Sequence, residues 1–332
     1  MNTIVAKPYL TGARGRFCIN ASGDGVRARP IVWSIAGSDS GGGAGLQADL
    51  KAFVAFGGVH GCTAVAAITA QNSVGVTRLE PVAAELLDAQ LAALAQDMPP
   101  QAIKIGLLGS VENLRVVCRW VDHVRALAHA KGLTVALVVD PVLGASTGAG
   151  FADAAMVQAY VDELLPRATL VTPNRGEALR LLAAAGQGDT AVDASEMDVA
   201  TITHALSNLA TAPLAITITG GDASQQDGLS SDWLCCPQTT GWLSLPRVDT
   251  LHQHGTGCTF ASTAAAALAS GYCVADAVVL AKMATTHALR LGYGAGAGAG
   301  PVCAEAGFAQ HAANLPALVH SKLPSLSIAT EG

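Results

Sequence analysis

The sequence predicts an α/β fold, with a mostly parallel central sheet and helices on both of its faces. Short apolar runs alternate with longer amphipathic stretches between residues 31 and 220. The runs are apolar enough to be strands covered on both sides, as a parallel sheet requires. Strand, helix and strand in series is the pattern that builds such a sheet.

IVWSIAG (31–37) reads as a buried strand ending in a turn, and AGLQADLKAFVAF (44–56) as the helix after it, with Leu46, Leu50 and Phe53 on one face. CTAVAAITA (62–70) is the next strand. PVAAELLDAQLAALAQD (81–97) is an amphipathic helix, followed by strand AIKIGLL (102–108). A helix from Val111 to Ala130 leads into strand TVALVVD (134–140). Helix 152–165, strand ATLVTP (168–173), helices 175–185 and 196–210, and strand LAITITG (214–220) continue the series. After residue 230 the rhythm changes: DWLCCP and GWLSLPRV predict a short antiparallel pair, and helices follow at 257–270 and 274–291. GAGAGAGP (294–301) has no preceding strand and no Lys-Ser/Thr after it, so it reads as a flexible turn and not a phosphate loop. A terminal helix with a frayed end is expected over 302–332. One domain is expected over 31–320, between a mobile tail at 1–30 and a frayed end at 321–332, because no linker divides it.

The 332 residues are 51% hydrophobic and 13% charged, which suffices for a large core. A net charge of -6 leaves no basic footprint for nucleic acid or an anionic membrane. Eight cysteines without a C-x-x-C pair argue against a zinc cage or a disulfide framework, and free thiols fit a reducing cytoplasm. Residues 1–30 lack the apolar core of a secretory signal. No stretch reaches the ~20 charge-free apolar residues of a membrane span.

In such a sheet, ligands sit beyond the carboxyl ends of the strands. There stands AGSDSGGGAGLQADLK (36–51), a Gly-rich turn whose backbone N–H groups could face an anion. Its spacing fits neither a G-x-x-x-x-G-K-[ST] loop nor a G-x-G-x-x-G dinucleotide turn, which argues against a Rossmann oxidoreductase. Asp49, on the following helix, could accept bonds from a ligand amine; taken alone it reads as a surface acid. Gln71 could read a heterocycle edge, since an amide both donates and accepts, or could simply form a turn with Asn72. Asp140, followed by Pro, suits a magnesium–water shell or a cap. Asn174 and Glu177 share one face of an opening helix, and their spacing is also that of a capping box. Thr219, Gly220 and Gly221 end a strand where backbone can approach a nucleotide closely. In HGTGCTF, Gly255, Thr256, Gly257 and Cys258 turn into a helix, so several N–H groups converge as an anion hole for a transferring phosphoryl group. The helix terminus is expected to lower the Cys258 thiol from ~8.5, which would let it accept a proton from an attacking alcohol.

AGSDSGGGAGLQADLKAF, AQNS, IKIGLLGS, DPVLGASTG, TPNRGEA and HGTGCTF, in this order over residues 31–300, resemble the hydroxymethylpyrimidine/phosphomethylpyrimidine kinases of thiamin biosynthesis, within the ribokinase superfamily. The resemblance implies a ribokinase-like fold that uses ATP and Mg²⁺ to phosphorylate 4-amino-5-hydroxymethyl-2-methylpyrimidine and then its monophosphate. It implies a pyrimidine pocket at Gly37, Asp49 and Gln71 with apolar walls at Leu107 and Val142. ATP and water-bound Mg²⁺ would lie near Asp140, Asn174, Glu177, Thr219 and Gly221, and Gly255, Thr256 and Gly257 would form the anion hole. Sugar kinases of the superfamily carry Asp where this chain has Cys258, and the pyrimidine kinases carry Cys. A homodimer is implied as well. Ser146 and Thr219 stand where many relatives have lysines that bind phosphate charge. A pyridoxal kinase is the alternative enzyme, and a non-catalytic binder the alternative outside enzymes.

Overall fold

The computed structural model describes residues 4–5, 29–144, 151–186, 197–210, 214–220, 228–307 and 327–329. The strands are β1 (Ile4–Val5), β2 (Ile31–Asp39), β3 (His60–Gln71), β4 (Val76–Pro81), β5 (Ala102–Ile105), β6 (Ala136–Val139), β7 (Leu170–Val171), β8 (Ala215–Ile218), β9 (Leu229–Cys236), β10 (Thr239–Pro246) and β11 (Ser327–Ala329). The α-helices are α1 (Gly45–Phe56), α2 (Ala84–Asp97), α3 (Val111–His129), α4 (Ala154–Ala159), α5 (Arg175–Ala184), α6 (Val199–Ser207), α7 (Thr256–Ala269) and α8 (Val274–Arg290).

Among the described residues all strands lie in one sheet, ordered β1-β11-β10-β9-β8-β7-β6-β5-β2-β3-β4. From β8 to β3 every pairing is parallel. β9 and β10 continue one side antiparallel, and β4 closes the other. The two-residue period of a strand divides the interior. Trp33, Ile103, Leu137 and Val171 point into one core, while their neighbours Val32, Ala102, Val138 and Leu170 point into the other. The first core takes residues of α2 through α6, such as Leu87, Leu114, Met156, Leu181 and Ile202. The second takes Phe53 of α1, Phe260 and Ala264 of α7, and Val278 of α8. Alanines make α7 thin enough to lie between α1, α8 and the sheet, and Ala261, Ala264, Ala265, Ala266 and Ala267 are all fully buried.

The ribokinase-like α/β expectation holds, with local differences. β4 occupies Val76–Pro81, where no strand was expected, so α2 begins at Ala84 and not at residue 81. The helix expected over 152–165 is α-helical only to Ala159. Tyr160–Leu164 widen into a π turn and Leu165–Arg167 tighten to 3₁₀, with Pro166 unable to donate a backbone bond. Of the expected C-terminal helix, Ala304–Ala306 form a single 3₁₀ turn, and 308–326 lie outside the described residues. Most of the expected tail at 1–30 lies outside them too, while β1 and β11 pair beside β10. Among the described residues no helix is long and apolar enough to cross a membrane.

Candidate active site

A cleft of about 600 Å³ opens at the carboxyl ends of β2, β3, β5, β6, β7 and β8, and the N-terminus of α7 forms part of its wall. It gathers Gly37, Gln71, Leu107, Asp140, Val142, Asn174, Glu177, Thr219, Gly255, Thr256, Gly257 and Cys258 from across the sequence. Gly221 and Ser146 lie outside the described residues.

The Gly-rich turn after β2 is not the open anion site its glycines suggest. Asp39 fills it: its carboxylate accepts from the amides of Gly41 (2.8 Å), Gly43 (3.0 Å) and Ala44 (2.8 Å), and from His254 Nε2 (2.9 Å). Burial opposes the charge on Asp39, but the bonds from His254, Ala44 and Gly41 outweigh it and hold the carboxyl below its ordinary value.

Asp49 differs from expectation. It is fully buried beneath the cleft and absent from its wall. Its oxygens accept from Lys104 Nζ (2.9 and 3.0 Å), Ser34 Oγ (2.5 Å) and Ser262 Oγ (2.7 Å), so a ligand amine finds no place there. The strand period explains the meeting: Ser34 and Lys104 lie on the sheet face of Val32 and Ala102, against which α1 and α7 pack. Lys104 does line the cleft. Burial alone would strip its proton, but Asp49, Cys258 and Asp140 more than offset this and hold its pKa above the ordinary lysine value. Gly106 leaves it room, since a Cβ there would stand 3.0 Å from Nζ.

Gly255 caps α7 in the left-handed region (φ 85°), and the carbonyl oxygen of Gly43 occupies the space a side chain would need. Of the expected anion hole, the Thr256 amide donates back to the Gln253 carbonyl (3.2 Å), while the Gly257 and Cys258 amides have no intrahelical acceptor, as at any helix start. Gly257 borders Asp140, whose Oδ2 lies 3.7 Å from where a Cβ would sit. Burial raises Asp140 to about 6, against the pull of Lys104 and with the push of Asp49.

Cys258 stands third in α7, not first, and its thiol is not lowered. Burial, reinforced by the carboxylates of Asp49 and Asp140, pushes it up to about 12 against Lys104 and the Gly45 amide. Loss of solvation outweighs the helix terminus here, and two negative groups nearby add to it.

Asn174 and Glu177 form the capping box at the start of α5, with Asn174 Oδ1 accepting from the Glu177 amide and Glu177 Oε2 from the Asn174 amide, both at 2.9 Å. The same two side chains face the cleft. Thr219 is tied to Pro173 by its amide (3.0 Å). Across the cleft, Lys282 of α8 pairs with Asp232 of β9 (3.0 Å) and bonds Ser230 Oγ (3.0 Å).

A family model described as phosphomethylpyrimidine kinase matches residues 39–303. The chain belongs to that family. It is 41% identical over 275 residues to the hydroxymethylpyrimidine/phosphomethylpyrimidine kinase of Synechococcus elongatus, covering 83% of this chain and 97% of the relative. With the enzyme of the same name from Rhizobium meliloti it shares 38% over 272 residues, 81% of this chain and 95% of the other. Among solved structures it resembles the pyridoxal kinase from Staphylococcus aureus in complex with ADP, with a TM-score of 0.69 and 29% identity over 84% of this chain and 94% of that one. Phosphomethylpyrimidine kinase from Clostridium difficile 630 gives a TM-score of 0.62 and 30% identity over 79% and 100%.

In this member of the phosphomethylpyrimidine kinase family the cleft suits a nucleotide. The hydroxyls of Thr172 and Thr285 are buried in its wall with no hydrogen-bond partner among the described residues, so polar ligand atoms would satisfy them. For Mg²⁺ the oxygen donors are Asp140, Glu177 and Asn174. No cluster of three or more His, Cys, Asp or Glu that could hold a metal occurs among the described residues. Sequence reasoning overlooked Asp39, His254 and the Asp232–Lys282 pair, and left Lys104 without a role because it lies inside a strand. For Lys104 a signal existed, a lone charge between Ile103 and Ile105 in an otherwise apolar strand.

Proposed function

We propose that this chain is an ATP-dependent kinase that phosphorylates the hydroxymethyl group of 4-amino-5-hydroxymethyl-2-methylpyrimidine and then its monophosphate, giving the diphosphate used for thiamin. The observation that carries the reading is one cleft in which the α7 terminus and Cys258 meet a heterocycle-sized wall of Gly37, Gln71, Leu107 and Val142. Gly37 keeps that wall flat, since a Cβ would stand 3.0 Å from Leu107 Cδ2. Gln71 reads the heterocycle edge. Asp49 acts at one remove, by holding Lys104 charged. The amides of Gly255 and Gly257 meet the charge of the transferring phosphoryl group, while that of Thr256 is held by the Gln253 carbonyl. Lys104 and Lys282 add positive charge, and Lys282 takes over from the lysines absent at Ser146 and Thr219. Asp140, Asn174 and Glu177 would hold Mg²⁺ through water. When bound, the ion neutralises phosphate charge.

Cys258 stays in the proposal as the group beside the attacking oxygen. A thiol pushed up to about 12 keeps its proton at neutral pH, so a base role requires that bound substrates bring it down. The reading also includes a kinase domain over 31–320, a cytoplasmic setting and a homodimer. Ile68 and Val74, exposed on the β3–β4 arm, suit a subunit contact.

The deciding assay measures kcat/KM on the pyrimidine alcohol, on its monophosphate and on pyridoxal, in wild type and Cys258→Ala. Turnover of both pyrimidines is expected. No turnover of the monophosphate sinks the reading in favour of a pyridoxal kinase, which the likeness to the S. aureus enzyme keeps in view. Cys258→Ala is expected to cost the alcohol step ~10²- to 10⁴-fold and the monophosphate step less, because that oxygen is already ionised. Equal small losses would remove Cys258 from the mechanism.

A further inference from the structure

His254 lies between the two halves of the cleft. It immediately precedes the Gly255 cap, and its backbone is tied down by the amide of Val302 and the carbonyl of Gly300. Its ring reaches across to β2 and β3, with Nε2 at 2.9 Å from Asp39 Oδ2 and 3.1 Å from the side-chain amide of Gln71. The side chain is only 16% exposed, and that of Asp39 is 4% exposed.

The chemistry of the neighbours assigns the protons. A carboxylate only accepts, so His254 Nε2 carries the hydrogen. A Gln71 nitrogen facing that Nε2–H would set donor against donor, so Gln71 turns its carbonyl oxygen to His254. The other end of the amide meets an independent constraint. It lies 3.3 Å from Thr69 Oγ1, whose single hydrogen has two acceptors in reach, Gln71 and the Ser38 carbonyl (3.1 Å); assigned to the shorter bond, it leaves lone pairs for Gln71. Both neighbours demand one orientation, oxygen to His254 and nitrogen to Thr69. Gln71 then keeps one N–H and one lone pair in a fixed left-to-right order for a ligand.

We infer that His254 is a positioning residue that, locked onto Asp39, fixes the amide of Gln71 and so makes the cleft select a heterocycle with a ring acceptor beside an exocyclic donor over one with that pattern reversed. The inference rests on the kinase reading for its substrate class, and on geometry alone for the hydrogen-bond arrangement. An aminopyrimidine edge matches the order; the 4-oxo analogue, with a ring N–H beside an oxygen, presents it backwards.

Two measurements test this separately. In wild type, ¹⁵N-resolved NMR of the histidines should show the Nε2–H tautomer for His254; the Nδ1–H tautomer overturns the inference whatever the enzyme does. Kinetics then compare kcat/KM for the 4-amino and 4-oxo pyrimidine alcohols. In His254→Phe, which fills the space but donates nothing, the preference for the 4-amino substrate should shrink by about tenfold or more, while KM for ATP moves less than about twofold. His254→Gln, which keeps a donor at similar reach, should retain most of the preference. Gly43→Ala gives a second route, since its Cβ would stand 2.5 Å from His254 Cδ2 and displace the ring from Gln71, with the same loss of preference. Equal losses on both substrates in His254→Phe and Gly43→Ala would reduce His254 to a structural residue and overturn the inference. Failure of the kinase reading looks different: neither pyrimidine is turned over while the Nε2–H tautomer persists, which supports the arrangement itself.

Discussion

Replacing Asp49 by Asn removes the nearest counter-charge of a fully buried lysine. Both side chains are 0% exposed, and Nζ sits 2.9 and 3.0 Å from the two carboxylate oxygens. Asn keeps the shape and one acceptor for Ser34 or Ser262, so the loss is electrostatic. A buried charge left without its partner costs about 3–5 kcal/mol. With an unfolding entropy of ~2 cal/mol/K per residue over 332 residues, each degree is worth roughly 0.7 kcal/mol, and Tm should fall by about 4–7 °C. Thermal unfolding followed by circular dichroism measures this, with urea titration as a second axis. Lys104→Met should destabilise comparably, because it strands the carboxylate. The double variant should recover a large part of the single losses, because neither buried charge is then left without its partner. A fall of less than about 2 °C in Asp49→Asn would refute the buried pair. So would single effects that add in the double variant instead of cancelling.

Asp140 gives a pH dependence of the opposite kind. Its folded value, about 6, lies above the ordinary 3.8, so the native state binds the proton more tightly than the unfolded chain. Its contribution to stability therefore falls between pH 4 and 6, by roughly 3 kcal/mol at ~1.4 kcal/mol per pH unit, and is flat above. Asp140→Asn lacks that slope, so it should match wild type near pH 4 and exceed it at pH 7.5, in chemical denaturation at both pH values; wild-type superiority at pH 7.5 would refute the assignment. Cys258 should resist alkylation. Near pH 7.5 a thiol pushed up to about 12 has a thiolate fraction about 10³-fold below that of an ordinary cysteine, and the greater nucleophilicity of a basic thiolate returns about tenfold. Iodoacetamide labelling at Cys258, read by peptide mass spectrometry, should run about 10²-fold slower than at the cysteine of an unstructured reference peptide, and equal rates would contradict the raised thiol.

The strand series and the residues at its carboxyl ends could be read from the sequence because each depends on short-range pattern. β4 could not: VTRLEP mixes exposed and half-buried positions on an edge arm, with no apolar run to mark it. Asp49 was legible as an important acid and illegible as a buried one, since its partners arrive from β2, β5 and α7, far away in sequence. The Gly-rich turn misled for a related reason. Its glycines do present amides to an anion, but the anion is a side chain two to five residues upstream. The Cys258 thiol went the wrong way because helix-end reasoning sees one terminus, and neither the loss of solvation nor the two carboxylates nearby. Asn174 and Glu177 admitted two readings, and the structure realises the capping box while leaving both in the cleft wall.

Asp39 supplies from within the chain the negative charge that a Gly-rich turn elsewhere takes from a phosphate. The turn thus acquires its shape when the protein folds, and the conformational entropy of three successive glycines is lost at that stage. A heterocycle entering the cleft meets a wall already in its final form, so little of its binding free energy goes into ordering the loop. The affinity of that half of the cleft should therefore depend on the fit of the ligand far more than on its power to organise the protein.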